Sequence, residues 1–309
     1  MRVIFCGTPR FAVPSLERLA EAGFEIPLVV TQPDKPRGRG LELEPTPVKA
    51  AALARGLRVI QPEKIKHNEE FRAELERIAP ETIVVVGYGR IIPQWMIDLP
   101  RHGNINLHAS LLPKYRGAAP IQWAIANGET VSGNTTMRID AGLDTGDILL
   151  QEEMAIRPDD TAVTYAPRLA ETGAHLLVKT LRGLEAGTIT ARPQEHAKAS
   201  LAPILTKDDG RIDFTRSALD IVNRLRGFQP WPGAYTTFRG RTLNIYAASP
   251  ETGTAALGQV VFQDGKLLAG CGEGTVLNIL ELQPEGKKRM AARDFANGMR
   301  LSAPEPLGQ

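Results

Sequence analysis

The chain has 309 residues, 42% of them hydrophobic and 23% charged, with 37 basic and 35 acidic side chains and a formal net charge of +2. That balance excludes a disordered chain, and the length suits about two domains whose cores need neither disulfides nor a structural metal. The two cysteines, Cys6 and Cys271, stand too far apart for a staple framework or a Cys-x-x-Cys knuckle, and no apolar run approaches the ~18 residues of a membrane helix, so a reducing, cytoplasmic setting is expected.

In chain order, strand-like and helix-like stretches alternate as far as residue 187, the pattern of an α/β sheet flanked by helices. Strands are predicted over 3–6, 26–31, 58–61, 82–86, 105–108, 135–139 and 148–154, with helices over 11–22, 68–78 and 161–184. Asp159-Asp160-Thr161 reads as a cap for the last helix, and Pro167 inside it predicts a kink or a later start. Residues 188–206 lack periodicity and read as a linker. A helix over 217–226 follows, then five short strands over 234–238, 242–248, 258–262, 266–269 and 276–283 between Gly and Pro turns. Five strands at that spacing suggest a small OB-like barrel over 207–309.

The richest segment is Asn104-Ile-Asn106-Leu-His108-Ala-Ser110-Leu111-Leu112-Pro113. On a strand, Asn104, Asn106 and His108 project together, and three polar groups on an interior face are costly unless they border a cleft. An amide donor beside an imidazole suits acyl chemistry: the amide meets a developing oxyanion and the ring moves a proton. An isolated core histidine is the bland alternative. Asp140-Ala-Gly142-Leu-Asp144-Thr-Gly146-Asp147 implies a sharp loop that positions carboxylates, and a carboxylate beside His108 would fix its tautomer and support its cation. Glycine spacing there does not match a calcium loop. No cysteine, serine or lysine stands out as a covalent nucleophile, which favours direct attack by a substrate nucleophile. Phe5-Cys-Gly7-Thr8-Pro9 lacks the dinucleotide fingerprint and reads as a tight strand-to-helix turn. The long connection over 32–47 sets Lys35, Arg37 and Arg39 among Gly and Pro, a match for phosphate or a mobile charged loop.

Taken together the chain resembles the methionyl-tRNA formyltransferase family. The resemblance runs through Phe5-Cys-Gly-Thr-Pro9, Thr31-Gln-Pro-Asp34, Gly38-Arg39-Gly40, Val86-Gly87-Tyr88-Gly89, the block from Asn106 to Gln122, Asp140–Gly146 and Phe228-Gln-Pro-Trp-Pro232. It implies a Rossmann-like catalytic domain over 1–187, a linker over 188–206 and a tRNA-binding OB-like barrel over 207–309. It also implies transfer of the formyl group of 10-formyltetrahydrofolate to the α-amino group of methionine on initiator methionyl-tRNA, in translation initiation. Asn106, His108 and Asp144 match the catalytic trio. Ser110, Leu111, Leu112 and Pro113 match the folate-binding stretch, with Gly87, Tyr88 and Gly89 lining the pteridine pocket through backbone groups. Arg39 matches an arginine on the loop that reaches the tRNA acceptor end, and Lys287-Lys288-Arg289 would add phosphate contacts.

No metal is required by that chemistry, and a monomer without membrane attachment is expected. The chain departs from the family at Leu41-Glu42, where some members carry two lysines, and at Gly87, where alanine is common. The alternatives are formyltransferases acting on a sugar-nucleotide amine or on glycinamide ribonucleotide, the hydrolase portion of formyltetrahydrofolate dehydrogenase, and an RNA-binding protein with an inert α/β half.

Overall fold

Every residue from Val3 to Cys6 is inaccessible to solvent, and alternate side chains enter two different cores: Val3 and Phe5 pack with Leu16 and Leu19, Ile4 and Cys6 with Leu28 and Leu75. A strand apolar on both faces belongs at the centre of a sheet covered on both sides, and β1 (Arg2–Gly7) occupies that place. The computed structural model describes residues 1–37 and 42–308. Arg39 and Leu41 lie outside the described residues.

From β1 the chain continues through α1 (Val13–Glu21), β2 (Glu25–Val30), β3 (Lys35–Arg37), β4 (Glu42–Glu44), α2 (Pro47–Ala54), β5 (Val59–Ile60) and α3 (Glu69–Ile78). Then come β6 (Thr82–Val86), α4 (Gln94–Asp98), β7 (Asn104–His108), α5 (Pro120–Ala126), β8 (Val131–Arg138), β9 (Ile148–Ala155) and α6 (Ala162–Glu185). The sheet order is β5-β2-β1-β6-β7-β8-β9. Its first five strands are parallel, and β8 and β9 join antiparallel. After β1 the chain builds outward through β2 and β5, then returns to β6 on the opposite side of β1. The direction of winding therefore reverses between β1 and β6, and ligands of open α/β sheets bind at the carboxyl ends of the strands at such a point.

Contacts within the chain define two compact units: Met1–Pro120, Val131–Ala155 and Ala166–Pro203 form the first, Ile121–Thr130, Ile156–Tyr165 and Ile204–Gln309 the second. The second contains α7 (Ala218–Gly227), capped by the Ser217 hydroxyl on the Asp220 amide, followed by β10 (Ala234–Phe238), β11 (Arg241–Glu251), β12 (Gln259–Gln263), β13 (Lys266–Gly270) and β14 (Val276–Pro284). The chain finishes through β15 (Met290–Ala291), α8 (Ala292–Gly298) and β16 (Glu305–Pro306). Antiparallel pairing follows β10-β11-β14-β13-β12-β16, and Leu307, just past β16, bridges back to Phe238 of β10. The sheet thus curls until its first and last strands meet, the closure expected of an OB-like barrel. Its interior is apolar, with Leu243, Ile245, Leu277, Ile279 and Phe295 buried.

Four details differ from the sequence expectation. The connection over 32–47 is not all loop, because β3 and β4 pair antiparallel. The short helices α2, α4, α5 and α8 and the strands β15 and β16 are additional to the expected elements and carry too few residues for a periodic signal. Helix α6 starts at Ala162 despite Pro167, which lies in its second turn and forgoes one backbone bond. Residues 188–203 belong to the first unit and are tied to it by backbone pairing of Arg192 with Ile148 and of Leu201 with Arg116.

The base of the 32–47 connection is held by a polar cluster. The Asp34 carboxylate accepts from the Lys49 ammonium and from Gln61 Nε2, and these bonds hold its carboxyl below the ordinary range. Thr46 caps α2 by accepting from the Lys49 amide at 3.1 Å, and its hydroxyl lies 2.8 Å from that of Thr31, which is fully buried. Thr46→Val removes the cap and orphans the Thr31 hydroxyl, so a loss of about 2 kcal/mol is expected. Urea titration should show a lower midpoint with an unchanged slope.

Burial pushes the Cys6 thiol far above its ordinary pKa and that of Cys271 up to about 11. Both side chains are buried and unpaired. Iodoacetamide at pH 8 is expected to label neither cysteine in the native protein and both after denaturation, read by intact mass.

Candidate active site

The parallel strands β1, β6 and β7 end along one edge of the sheet, with Gly7 beside Val86 and Val85 beside Asn106. On β7 the apolar Ile105 and Leu107 enter the core that holds Val84 and Val86, leaving Asn104, Asn106 and His108 on the opposite face. The three polar groups have different fates. Asn104 is 1% exposed and donates to the carbonyls of Met96 and Ile97 at 2.8 and 3.1 Å. It is a fastening for the end of α4 and not a site residue. Asn106 is only partly buried, and its side-chain amide has no protein partner among the described residues. His108 is buried, two positions further along and about 6.6 Å away by strand rise.

His108 is held from both sides. Its Nε2 lies 2.8 Å from the Tyr115 carbonyl. A carbonyl only accepts, so Nε2 carries the proton and Nδ1 is the nitrogen not spent on the main chain. Tyr115 sits at φ 60°, a left-handed conformation that turns its carbonyl onto the ring. The tautomer is therefore set by Tyr115, where the sequence suggested a carboxylate. Nδ1 faces Asp144 Oδ2 at 3.7 Å, too long for a direct hydrogen bond and short enough for the carboxylate to stabilise a proton arriving there. A neutral ring can donate to only one of these acceptors, the cation to both.

Asp144 is placed by strained local geometry. Its φ is 51°, and Oδ2 accepts from the Gly117 amide at 2.8 Å. Gly117 itself has φ 123°, and a Cβ there would lie 2.6 Å from the Ala202 carbonyl oxygen, so only glycine brings that amide to the carboxylate. Upstream, the Asp140 carboxylate accepts from the Gly142 amide and the Thr145 hydroxyl, which closes the turn.

The other sequence-predicted residues divide by exposure. Ser110 is fully buried and its hydroxyl donates to the Lys114 carbonyl at 2.6 Å; Leu112 is buried against Met137 and Ile148. Leu111 and Pro113 are partly exposed. Among the described residues the buried Tyr88 hydroxyl has no hydrogen-bond partner, and burial holds it far above the ordinary phenol value. Its carbonyl accepts from Thr8 Oγ1 and Gln32 Nε2. Gly87 and Gly89 are exposed at φ 56° and 74° and offer backbone groups beside the strand end that carries His108. A Cβ on Gly87 would stand 2.8 Å from Pro9 Cγ.

Exposed backbone beside an unpartnered amide and a held imidazole fits a flat, polar-edged ligand lying along the ends of β6 and β7. Among the described residues no three His, Cys, Asp or Glu are grouped to hold a metal ion, and no helix is long and apolar enough to cross a membrane. Sequence reasoning missed Tyr115, Gly117, Arg116 and Gln194. Gly117 carried a signal, a glycine set between Arg116 and two alanines. Gln194 carried none, because it lies in the aperiodic stretch read as a linker.

Comparison with known proteins places this geometry in a family. A formyl transferase model matches residues 1–181, and a formyl transferase C-terminal domain model matches residues 204–300. The methionyl-tRNA formyltransferase of Koribacter versatilis is 64% identical over all of this chain and 99% of its own length. That of Acidobacterium capsulatum is 60% identical, with complete coverage of both chains. Among solved structures, an N-formyltransferase from Helicobacter canadensis in complex with folinic acid and dTDP-3-aminofucose superposes with TM-score 0.68 at 20% identity, over 92% of this chain and 99% of its own. A sugar 3N-formyl transferase solved with dTDP and 5-N-formyl-THF gives 0.67 at 19% identity, over 93% and 99%. At those identities the structures speak for the fold alone. Identity along the full length decides between the branches: the chain belongs to the methionyl-tRNA formyltransferase family.

Proposed function

We propose that Asn106, His108 and Asp144 carry formyl transfer from 10-formyltetrahydrofolate to the α-amino group of methionine on initiator methionyl-tRNA. The observation that carries this reading is the arrangement at the end of β7: an Asn106 amide with no partner among the described residues, and His108 Nδ1 facing an Asp144 carboxylate that the Gly117 amide fixes.

The chemistry needs three things from the protein. The attacking amine forms a C–N bond to the formyl carbon, and charge collects on the formyl oxygen. Asn106 Nδ2 donates to that oxygen, and His108 becomes a second donor once its Nδ1 has taken the proton the amine loses. The C–N bond to the folate then breaks, and the proton lost by the amine reaches the departing nitrogen. His108 Nδ1 relays it, and Asp144 lowers the cost of the transient imidazolium. Tyr115 keeps the ring from rotating out of this path. Gly87 and Gly89 offer backbone groups to the pterin, with Leu111 and Pro113 as apolar edges; Ser110 and Leu112 shape the loop from within.

The residue to which the resemblance assigns tRNA contact, Arg39, would reach the acceptor end from the 32–47 connection, whose described residues the Asp34–Lys49–Gln61 cluster holds. The OB-like barrel, with Lys287-Lys288-Arg289, would add phosphate contacts. On this reading the protein works as a monomer in the cytoplasm, where charged initiator tRNA is made.

Asn106→Ala and His108→Ala are each expected to lower kcat/KM by about 10²-fold or more while tRNA binding persists, measured by formylation of charged initiator tRNA and by filter binding. Activity on a sugar-nucleotide amine with none on charged initiator tRNA would replace this reading. Arg39→Ala is expected to raise KM for the tRNA with little change in KM for the folate, and to flatten the salt dependence of tRNA use.

A further inference from the structure

Gln194 is 5% exposed and lies in a stretch whose composition suggests a tether. Its side-chain amide bridges Arg116 and the turn that carries Asp144. Oε1 accepts from Nε and Nη2 of Arg116 at 3.1 and 2.7 Å. Because a guanidinium only donates, that contact settles which end of the amide is oxygen. Nε2 then gives its two hydrogens to the carbonyls of Asp144 at 2.9 Å and Gly146 at 2.7 Å.

Those two carbonyls flank the turn that most needs support. Asp144 holds φ 51°, and a Cβ on Gly146 would stand 1.9 Å from the Arg138 carbonyl oxygen, so the turn runs hard against β8. Arg116 is 8% exposed, makes no ion pair among the described residues, and has His196 Nδ1 at 3.1 Å as its other side-chain partner. Its backbone neighbour Gly117 donates the amide that fixes the Asp144 carboxylate. The Asp144 backbone and its carboxylate are therefore gripped by one connected unit, Gln194–Arg116–Gly117.

We propose that Gln194 is a positioning residue for formyl transfer: it holds the Asp144 turn so that the carboxylate stays within reach of His108 Nδ1. This rests on the role given to Asp144 above. Among the described residues Gln194 makes no hydrogen bond to the imidazole, and on this proposal it acts through the aspartate.

Gln194→Glu separates positioning from packing. A glutamate keeps the volume and gives Arg116 a charged partner, but it sets an oxygen against two carbonyl oxygens. Expected for this variant is a kcat at least about tenfold lower with both substrate KM values within about twofold of the parent. Its melting temperature should stay close to the parent's, and hydrogen exchange at the Gly117 amide should quicken by at least about tenfold as its bond to Asp144 loosens. Gln194→Met, which cannot donate, should share the kinetic loss and decides the question if the glutamate variant does not fold. Parental kcat and unchanged Gly117 exchange in both variants, alongside an inactive Asp144→Asn, would overturn the role of Gln194 alone. Parental kcat in Asp144→Asn would instead overturn the reading of Asp144 on which it rests.

Discussion

The hydrogen bond from the Gly117 amide to the Asp144 carboxylate joins two loops that the sheet alone would leave independent. One leaves β7 just after His108, and the other follows β8. Without the bond, a carboxylate on an exposed glycine-rich turn would face water and have no fixed relation to the imidazole. With it, Asp144 sits 3.7 Å from Nδ1, and a left-handed aspartate is tolerated because its side chain is satisfied by main chain. The contact requires a glycine at 117, since any Cβ would strike the Ala202 carbonyl. Residue 202 in turn is aligned by backbone pairing of the 200–202 segment with Arg116.

The remaining architecture explains why such a contact can form where chemistry is wanted. Parallel strands buried on both faces end together, so β1, β6 and β7 deliver their last residues to one edge. At that edge Gly87 and Gly89 keep backbone exposed while the Tyr88 ring is sunk in the core as an anchor. The polar groups on this face of β7 have distinct fates: Asn104 is bonded to α4, Asn106 has no side-chain partner among the described residues, and His108 is restrained by Tyr115. The second unit solves a different problem, bringing the first and last strands of an antiparallel sheet together through Leu307 and Phe238.

Much of this was legible in the sequence, for reasons of periodicity. The buried strands at 3–6 and 82–86 are short continuous apolar runs, the five barrel strands sit between turn residues, and the pairing of Asn106 with His108 follows from the two-residue repeat of a strand. The glycines at 142 and 146 made a sharp acidic turn legible, and the family resemblance singled out Asp144 within it. The rest was hidden because it depends on contacts distant in sequence. The separation of Asn104 from its two neighbours depends on where α4 ends, which β7 does not encode. Gln194 lies fifty positions from the aspartate it holds, in a segment without repeat or motif. Tyr115 acts through its carbonyl, a group every residue owns.

The most direct measurement is a crystal structure of the protein with a non-reactive formyl-folate analogue. The account places the formyl oxygen within about 3.2 Å of Asn106 Nδ2 and the formyl group on the side of the ring that His108 Nδ1 faces, with Asp144 still bonded to the Gly117 amide. A formyl group bound elsewhere, or one whose oxygen points away from the end of β7, would contradict it.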